Sequence, residues 1–415
     1  MEHKQFKGHV ILLPYPSQGH INPLLQFAKR LASKGVKATL ATTHYTVNSI
    51  CAAHIGVEPV SDGFDEGGFS QAGNVDFYLK SFKEEGSRSL SQLIQKFKDS
   101  STLLPVCIFS RIHHGRLALP LTPESKPLML PGLPPLNFRD LPTFLRFPDS
   151  YPAYLAMKLS QYSNLNEADW EAKGVSELWQ AKLIGPMVPS AYLDERIKGD
   201  RGYGSSLWKP LSEECMEWLE TKPSQSVVYI SFGSMVSLTK EETEEIARGL
   251  EESNLHYLWI VRETEQKKLP KWFLESNKEK GMVVTWCNQL EMLAHPAVGC
   301  FATHCGWNST LEGLSLGVPM VGVPKWADQL TDAKFVEEIW GIGVRAKEDE
   351  EGVVRREELI KCLKEVMEGE RGKEIKSNAN KWKELAKKAI SEGGSSDECI
   401  NKFVQHLMAI VEQIN

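Results

Sequence analysis

Within residues 286–329 the chain gathers Trp286, Cys287, Gln289, His304, Gly306, Trp307, Asn308, Ser309, Glu312, Asp328 and Gln329, and no other segment limits its fold and chemistry as tightly. The stretch opens on an indole suited to stacking on a flat base. It closes on an acid–amide pair suited to a polyol. Between them, residues 299–303 (GCFAT) read as a short buried strand, 304–306 as a turn, and 308–316 as a helix with Leu311, Leu314 and Leu316 apolar. A strand, a glycine turn and a helix in direct succession aim unpaired amides and the positive end of the helix dipole beyond the strand end, which makes an anion site. The pattern Ser309-x-x-Glu312 also reads as a capping box that satisfies those amides without any ligand. Glu312 therefore stands between two assignments, the cap or ribose hydroxyls.

The whole segment WCNQLEMLAHPAVGCFATHCGWNSTLEGLSLGVPMVGVPKWADQ resembles the signature box of plant secondary-metabolite UDP-glycosyltransferases, an inverting family with the GT-B fold. The resemblance implies an α/β protein made of two doubly wound, Rossmann-like domains facing each other across a cleft. It implies that Trp286 stacks on uracil, that Gln289 and Glu312 meet the ribose, and that His304, Asn308 and Ser309 meet the diphosphate. Cys287 and Gly306 are grouped with these as UDP contacts. Trp307, Asp328 and Gln329 would meet the sugar, and a Gln at the last of these positions goes in the family with glucose rather than galactose, pointing to UDP-glucose.

A chain of 415 residues with 41% hydrophobic and 25% charged residues is long enough for two globular domains. A formal net charge of −6 gives no electrostatic footprint for nucleic acid. The eight cysteines lack metal-ligand spacing and read as reduced, packed thiols of a cytoplasmic protein. The opening MEHKQFKGHVILLPYP has no apolar run long enough for a signal peptide or a membrane span. A soluble monomer is the expectation.

The first expected domain covers residues 1–205 and would bind the acceptor. It opens with a strand at 9–13, a loop PYPSQGHINP, a helix from about Pro23 to Lys34 and a strand at 37–42, the beginning of a doubly wound parallel sheet whose ligands bind outside the strand ends. His20 lies on that loop. PSQGHINP resembles the family's amino-terminal loop and puts His20 on its catalytic histidine, implying a general base: an imidazole titrating at about 6.5 can take the proton of an acceptor hydroxyl as the sugar bond forms. Without that context a loop histidine reads as a backbone-bonded structural group.

The second expected domain, 206–394, would bind the UDP-sugar. It follows a stretch rich in Gly, Pro and Ser and alternates strands at 226–231, 256–261 and 282–285 with a helix at 240–252. Ser234 closes the turn after the first of these strands, where the family touches the diphosphate; Gly233-Ser234 also reads as an ordinary strand-to-helix turn. Helices at 355–367 and 374–391 precede a break at Gly393-Gly394. The last segment, 395–415, is expected to return to the amino-terminal domain.

Two segments depart from the family. After Ile108 the family continues into an Asp-containing turn, a helix and a further strand, and that Asp bonds the catalytic histidine; here the chain passes almost directly to His113. A second omission follows Trp170. An orienting carboxylate fixes the imidazole tautomer, and its loss in comparable dyads costs orders of magnitude in rate. Asp62 and Asp65 in SDGFDEGG are nearby acids, in a loop that reads equally as a simple turn.

The expected activity is transfer of glucose with inversion from UDP-glucose to a hydroxyl or carboxyl of a small hydrophobic plant metabolite, without cofactor or metal, since no Asp-x-Asp motif is present. The proline-rich LPGLPPLNFRDLPTFL resembles the loop that walls the acceptor site in relatives acting on salicylate-, steroid- and terpenoid-type compounds. Two other readings remain: a catalytically impaired nucleotide-sugar-binding variant, and a dinucleotide oxidoreductase, which the lack of a G-x-G-x-x-G after any strand disfavours.

Overall fold

A computed structural model describes residues 6–100, 105–109, 122–124, 126–129, 134–153, 155–156, 183–205, 210–275 and 280–414. The chain divides into two compact units. One comprises 1–119, 147–207 and 388–415, the other 120–146 and 208–387. The segments after Ile108 and Trp170, with His113 and residues 130–133 of the proline-rich loop, lie outside the described residues.

The first unit is built on four parallel strands, β1 (His9–Leu13), β2 (Lys37–Thr43), β3 (Gly56–Val60) and β4 (Pro105–Phe109), in the order β3-β2-β1-β4. Strand β1, HVILL, is buried on both faces, as parallel sheets require. Val10 and Leu12 join a cluster with Leu25 and Leu31 of the helix Gln18–Ser33, while Ile11 joins Leu90, Leu93 and Phe97 of the helix Val75–Ser100 on the other face. The last helix, Ser395–Ile414, sends Ile400, Phe403, Val404 and Leu407 into the cluster of Val10 and Leu12. Leu407 sits so close over Gly8 that a Cβ there would meet its side chain at 2.7 Å.

The second unit holds six parallel strands: β5 (Val227–Ser231), β6 (His256–Ile260), β7 (Gly281–Val284), β8 (Val298–Thr303), β9 (Met320–Gly322) and β10 (Gly343–Arg345). Their order is β10-β9-β8-β5-β6-β7. The winding reverses between β5 and β8, whose ends run in register with Ser231 opposite Thr303. Such a switch point leaves a crevice outside the strand ends where ligands of doubly wound sheets bind. The helix Lys240–Ser253 starts where the sequence directs: the Thr239 hydroxyl accepts from the Glu242 amide at 3.1 Å, and the Glu242 carboxylate accepts from the Thr239 amide at 2.7 Å.

Two expectations are corrected. The first helix begins at Gln18, not near Pro23, because Ser17 caps it and its carbonyl accepts from the amides of both His20 and Ile21 at 2.9 Å. His20 therefore stands on the first helical turn rather than on a loop, and Pro23 lies inside the helix. Second, residues 120–146 belong with the second unit, interrupting the amino-terminal domain expected over 1–205. The cause is electrostatic: the buried Asp140 carboxylate lies 3.2 Å from Lys334 and 3.1 Å from Arg345. The alternative reading of Ser309 and Glu312 as a capping box does not hold either, for the helix Trp307–Leu316 has Gly306 as its N-cap and no side-chain cap hydrogen bond.

Candidate functional site

Every site residue expected in the second unit falls on a segment that follows the carboxyl end of a strand. Ser234 lies in the turn after β5, Trp286 to Gln289 after β7, His304 to Glu312 after β8, and Asp328 and Gln329 after β9. Two of the turns hold residues in the left-handed region, Cys305 at φ 58° and Ala327 at φ 56°. A side chain with a Cβ adopts that region at a cost of about 1–3 kcal/mol, tolerated where the surroundings over-determine the backbone.

At β8 the turn through Cys305 throws the chain into the helix Trp307–Leu316. With glycine as the cap and no acid in the first turn, the helix Trp307–Leu316 receives no side-chain hydrogen bond from its N-cap residue. Its first amides follow the carboxyl end of β8, an arrangement that favours an anion. His304 lies just before them, between two glycines: a Cβ on Gly233 would approach its ring to 2.8 Å, and one on Gly306 to 2.5 Å. Gly233, at φ 68°, is the only residue type that satisfies both the backbone and the imidazole. Burial, with some help from the Arg262 guanidinium, pushes the His304 pKa down to about 4 against a backbone hydrogen bond at Ser231 that raises it. The ring is a neutral hydrogen-bonding group near pH 7, not a cation.

Beside the helix, the Gln289 amide donates to the Ser309 hydroxyl at 3.0 Å and to the Glu312 carboxylate at 2.7 Å. Glu312, 4% exposed, accepts from Gln289 beside the helix and forms no capping box. The Tyr229 hydroxyl stands 3.5 Å from the Gln289 carbonyl oxygen. Nothing in the sequence singles out Tyr229, because in VVYIS it reads as one more apolar strand residue. Trp286, half-buried, carries a backbone carbonyl that accepts from Leu211 at 2.8 Å. The Cys287 thiol is buried 3.6 Å from the Tyr229 hydroxyl, so the backbone of Cys287 is what a ligand can meet.

On the β9 side, the Gln329 carbonyl oxygen accepts from the amides of Lys325 (2.9 Å) and Trp326 (3.1 Å). These two bonds fix the orientation of its carboxamide, with the oxygen turned toward the loop before the helix. Asp328 is exposed and Trp307 is 48% exposed, its ring 6.4 Å from that of Trp340. After β5, Ser234 and Val236 offer their carbonyls to the Arg262 guanidinium, an anchor for the turn that the sequence did not reveal.

In the first unit, His20 is half-buried and meets the ring of Tyr15 edge-on at 5.6 Å. Asp62 behaves as a turn residue: one oxygen accepts from the Phe64 amide at 2.9 Å and the other from the Tyr78 hydroxyl at 2.8 Å. Asp65 accepts from Ser61 at 2.8 Å. Among the described residues no group of three or more His, Cys, Asp or Glu is placed to hold a metal ion, and no helix is long and apolar enough to cross a membrane.

Comparison with known proteins shows which family the chain belongs to. Residues 177–387 match the family described as UDP-glucoronosyl and UDP-glucosyl transferase. UDP-glycosyltransferase 74B1 of Arabidopsis thaliana is 48% identical over 450 residues, covering 97% of this chain and 98% of its own. The Arabidopsis thaliana flavonol 7-O-beta-glucosyltransferase UGT74F1 is 43% identical, covering 97% and 99%. Among solved structures, Os79 from O. sativa in complex with UDP superposes with a TM-score of 0.87 at 33% identity, covering 96% of this chain and 100% of that one. The 450-residue span of the first relative exceeds the 415 residues of this chain, so that relative carries internal residues without a counterpart here.

Proposed function

The chain belongs to the UDP-glucoronosyl and UDP-glucosyl transferase family and is a UDP-glycosyltransferase of GT-B fold, and from that premise we propose that it moves glucose, with inversion, from UDP-glucose to a hydroxyl or carboxyl of a small hydrophobic plant metabolite. The observation that carries this reading is the order of groups along the strand ends of the second unit. An indole is followed by the Gln289–Ser309–Glu312 cluster, then by the glycine-capped helix start beside His304, then by the fixed Gln329 carboxamide. These match, in sequence, a base, a ribose, a diphosphate and a hexose.

The chemistry follows from the charges that develop. As the glycosidic bond to the diphosphate breaks, negative charge grows on the leaving oxygens. The positive end of the helix Trp307–Leu316 and the neutral His304 ring stabilise it. His20 takes the proton of an acceptor hydroxyl, or positions an acceptor carboxylate, as the oxygen attacks the anomeric carbon from the face opposite UDP. The product is a β-glucoside. The name of the flavonol glucosyltransferase relative supports a planar, hydrophobic acceptor. A cytoplasmic protein acting as a monomer fits the same reading.

The test is transfer itself: the chain with UDP-glucose and a panel of flavonols, phenolic acids and steroids is expected to yield a β-glucoside, read by mass and by the anomeric coupling constant. His20→Ala should lower kcat by at least about 100-fold, the usual contribution of a positioned base, while UDP affinity stays within about twofold. UDP binding with no product across the panel would select the binding-only variant instead, and unchanged turnover in His20→Ala would remove that residue from its role.

A further inference from the structure

The α-helical segment Gln329–Lys334 carries Gln329 and runs on into the π-helical turn Phe335–Ile339, together still too short to hold its shape without tertiary contacts. What holds it comes from about 190 positions earlier in the chain. The backbone carbonyl of Asp140 accepts from the Thr331 hydroxyl at 2.6 Å. The carboxylate of the same residue reaches Lys334 at the end of the helix at 3.2 Å and Arg345, at the end of β10, at 3.1 Å. Ahead of the helix, Thr143 grips the left-handed Ala327 from both sides: its hydroxyl accepts from the Ala327 amide at 2.9 Å, and its own amide donates to the Ala327 carbonyl at 3.2 Å. Asp140 and Thr143 are both 7% exposed and Lys334 is 6% exposed. The clamp thus holds both ends of the element that carries Gln329, and it pins the one residue before Asp328 whose backbone is strained.

We propose that Asp140 and Thr143 are positioning residues for the hexose of the UDP-sugar, fixing Asp328 and Gln329 in the geometry that meets the sugar hydroxyls while leaving the UDP contacts untouched. The blander role, in which Asp140 merely closes its own turn, has a basis too, since its carboxylate accepts from the Asn137 amide at 3.0 Å. That role accounts for neither the grip on Lys334, Arg345 and Thr331 nor the two-sided hold on Ala327. Removing the clamp should let Ala327 relax toward ordinary backbone angles and turn Asp328 and Gln329 away from the hexose. The contacts at Trp286, Gln289 and the helix start lie on other segments and would keep their places. The proposal rests on the reading of Asp328 and Gln329 as sugar contacts.

The test is calorimetric titration of the full chain with UDP and, separately, with UDP-glucose, for wild type, Gln329→Ala, Asp140→Asn and Thr143→Val. Asp140→Asn puts an NH2 group in place of one of two carboxylate oxygens that each face a cation, and Thr143→Val keeps the shape of the side chain while removing the acceptor for Ala327. Each is expected to weaken UDP-glucose about five- to tenfold, the scale of one lost hydrogen bond, with UDP affinity within about twofold of wild type. Equal weakening of both ligands, or no change in either, would overturn the clamp. Gln329→Ala separates the two layers of the account. If it too fails to distinguish UDP from UDP-glucose, the sugar-site reading fails; if it distinguishes them while Asp140→Asn and Thr143→Val do not, the clamp alone fails.

Discussion

At the scale of single residues, the site depends on groups whose neighbours fix their state. His304 is neutral because burial makes its cation costly, and His9, buried beside Lys37 in the first unit and bonded to Thr39 at 2.9 Å, is held down in the same way, to about 4. Both folded values lie below the ordinary 6.5. Between about pH 6.5 and 4 the unfolded chain therefore binds protons on these rings that the folded chain does not, and stability falls as pH falls through that window. The loss is up to ~3 kcal/mol for each histidine. Urea unfolding at pH 7 and pH 4.5 should show it, with a smaller pH effect in His9→Gln; an equal slope in that variant would contradict the assignment. That the candidate residues follow the carboxyl ends of strands was legible in the sequence, from the strand, turn and helix patterns around them. Their states were not. Neither the pinning of His304 between Gly233 and Gly306 nor the inward-turned Cys287 thiol leaves a mark in spacing alone, since both come from strands distant in sequence. Arg262, Asp140 and Thr143 were missed for the same reason.

At the scale of elements, most strands and helices of the second unit follow hydrophobic period and turn chemistry within a residue or two. The Thr239–Glu242 box and the buried run of β8 are the plainest cases. Two elements went otherwise. Pro23 reads as a helix start, yet Ser17 offers its carbonyl one turn earlier and the helix absorbs the proline. Ser309 and Glu312 have the spacing of a cap, yet Gly306 begins the helix and both side chains bond Gln289 instead. Local propensity yields in both places to where the preceding strand delivers the chain. The last helix tests element packing most simply. Leu407 is 1% exposed in the cluster with Val10 and Leu31, so Leu407→Ala should cost about 2–5 kcal/mol in urea unfolding of the first unit. An unchanged midpoint would mean that this helix contributes little to the core.

At the scale of the whole molecule, the two parallel sheets were evident from alternating strand and helix patterns, whereas the unit to which 120–146 belongs was not. Chain order placed that segment in the amino-terminal part. Ion pairs and a paired backbone, formed with residues 184 to 205 positions away, placed it with the other. The central claim is that the strand ends of the second unit receive UDP-glucose in a fixed order of contacts. The most direct measurement is a crystal structure of the chain bound to UDP-glucose or a non-transferable analogue. The account predicts uracil on Trp286, ribose at Gln289 and Glu312, the diphosphate over the amides of Asn308 and Ser309 beside His304, and the hexose at Asp328 and Gln329. A donor bound with its phosphates away from that helix start, or its sugar away from Gln329, would contradict it.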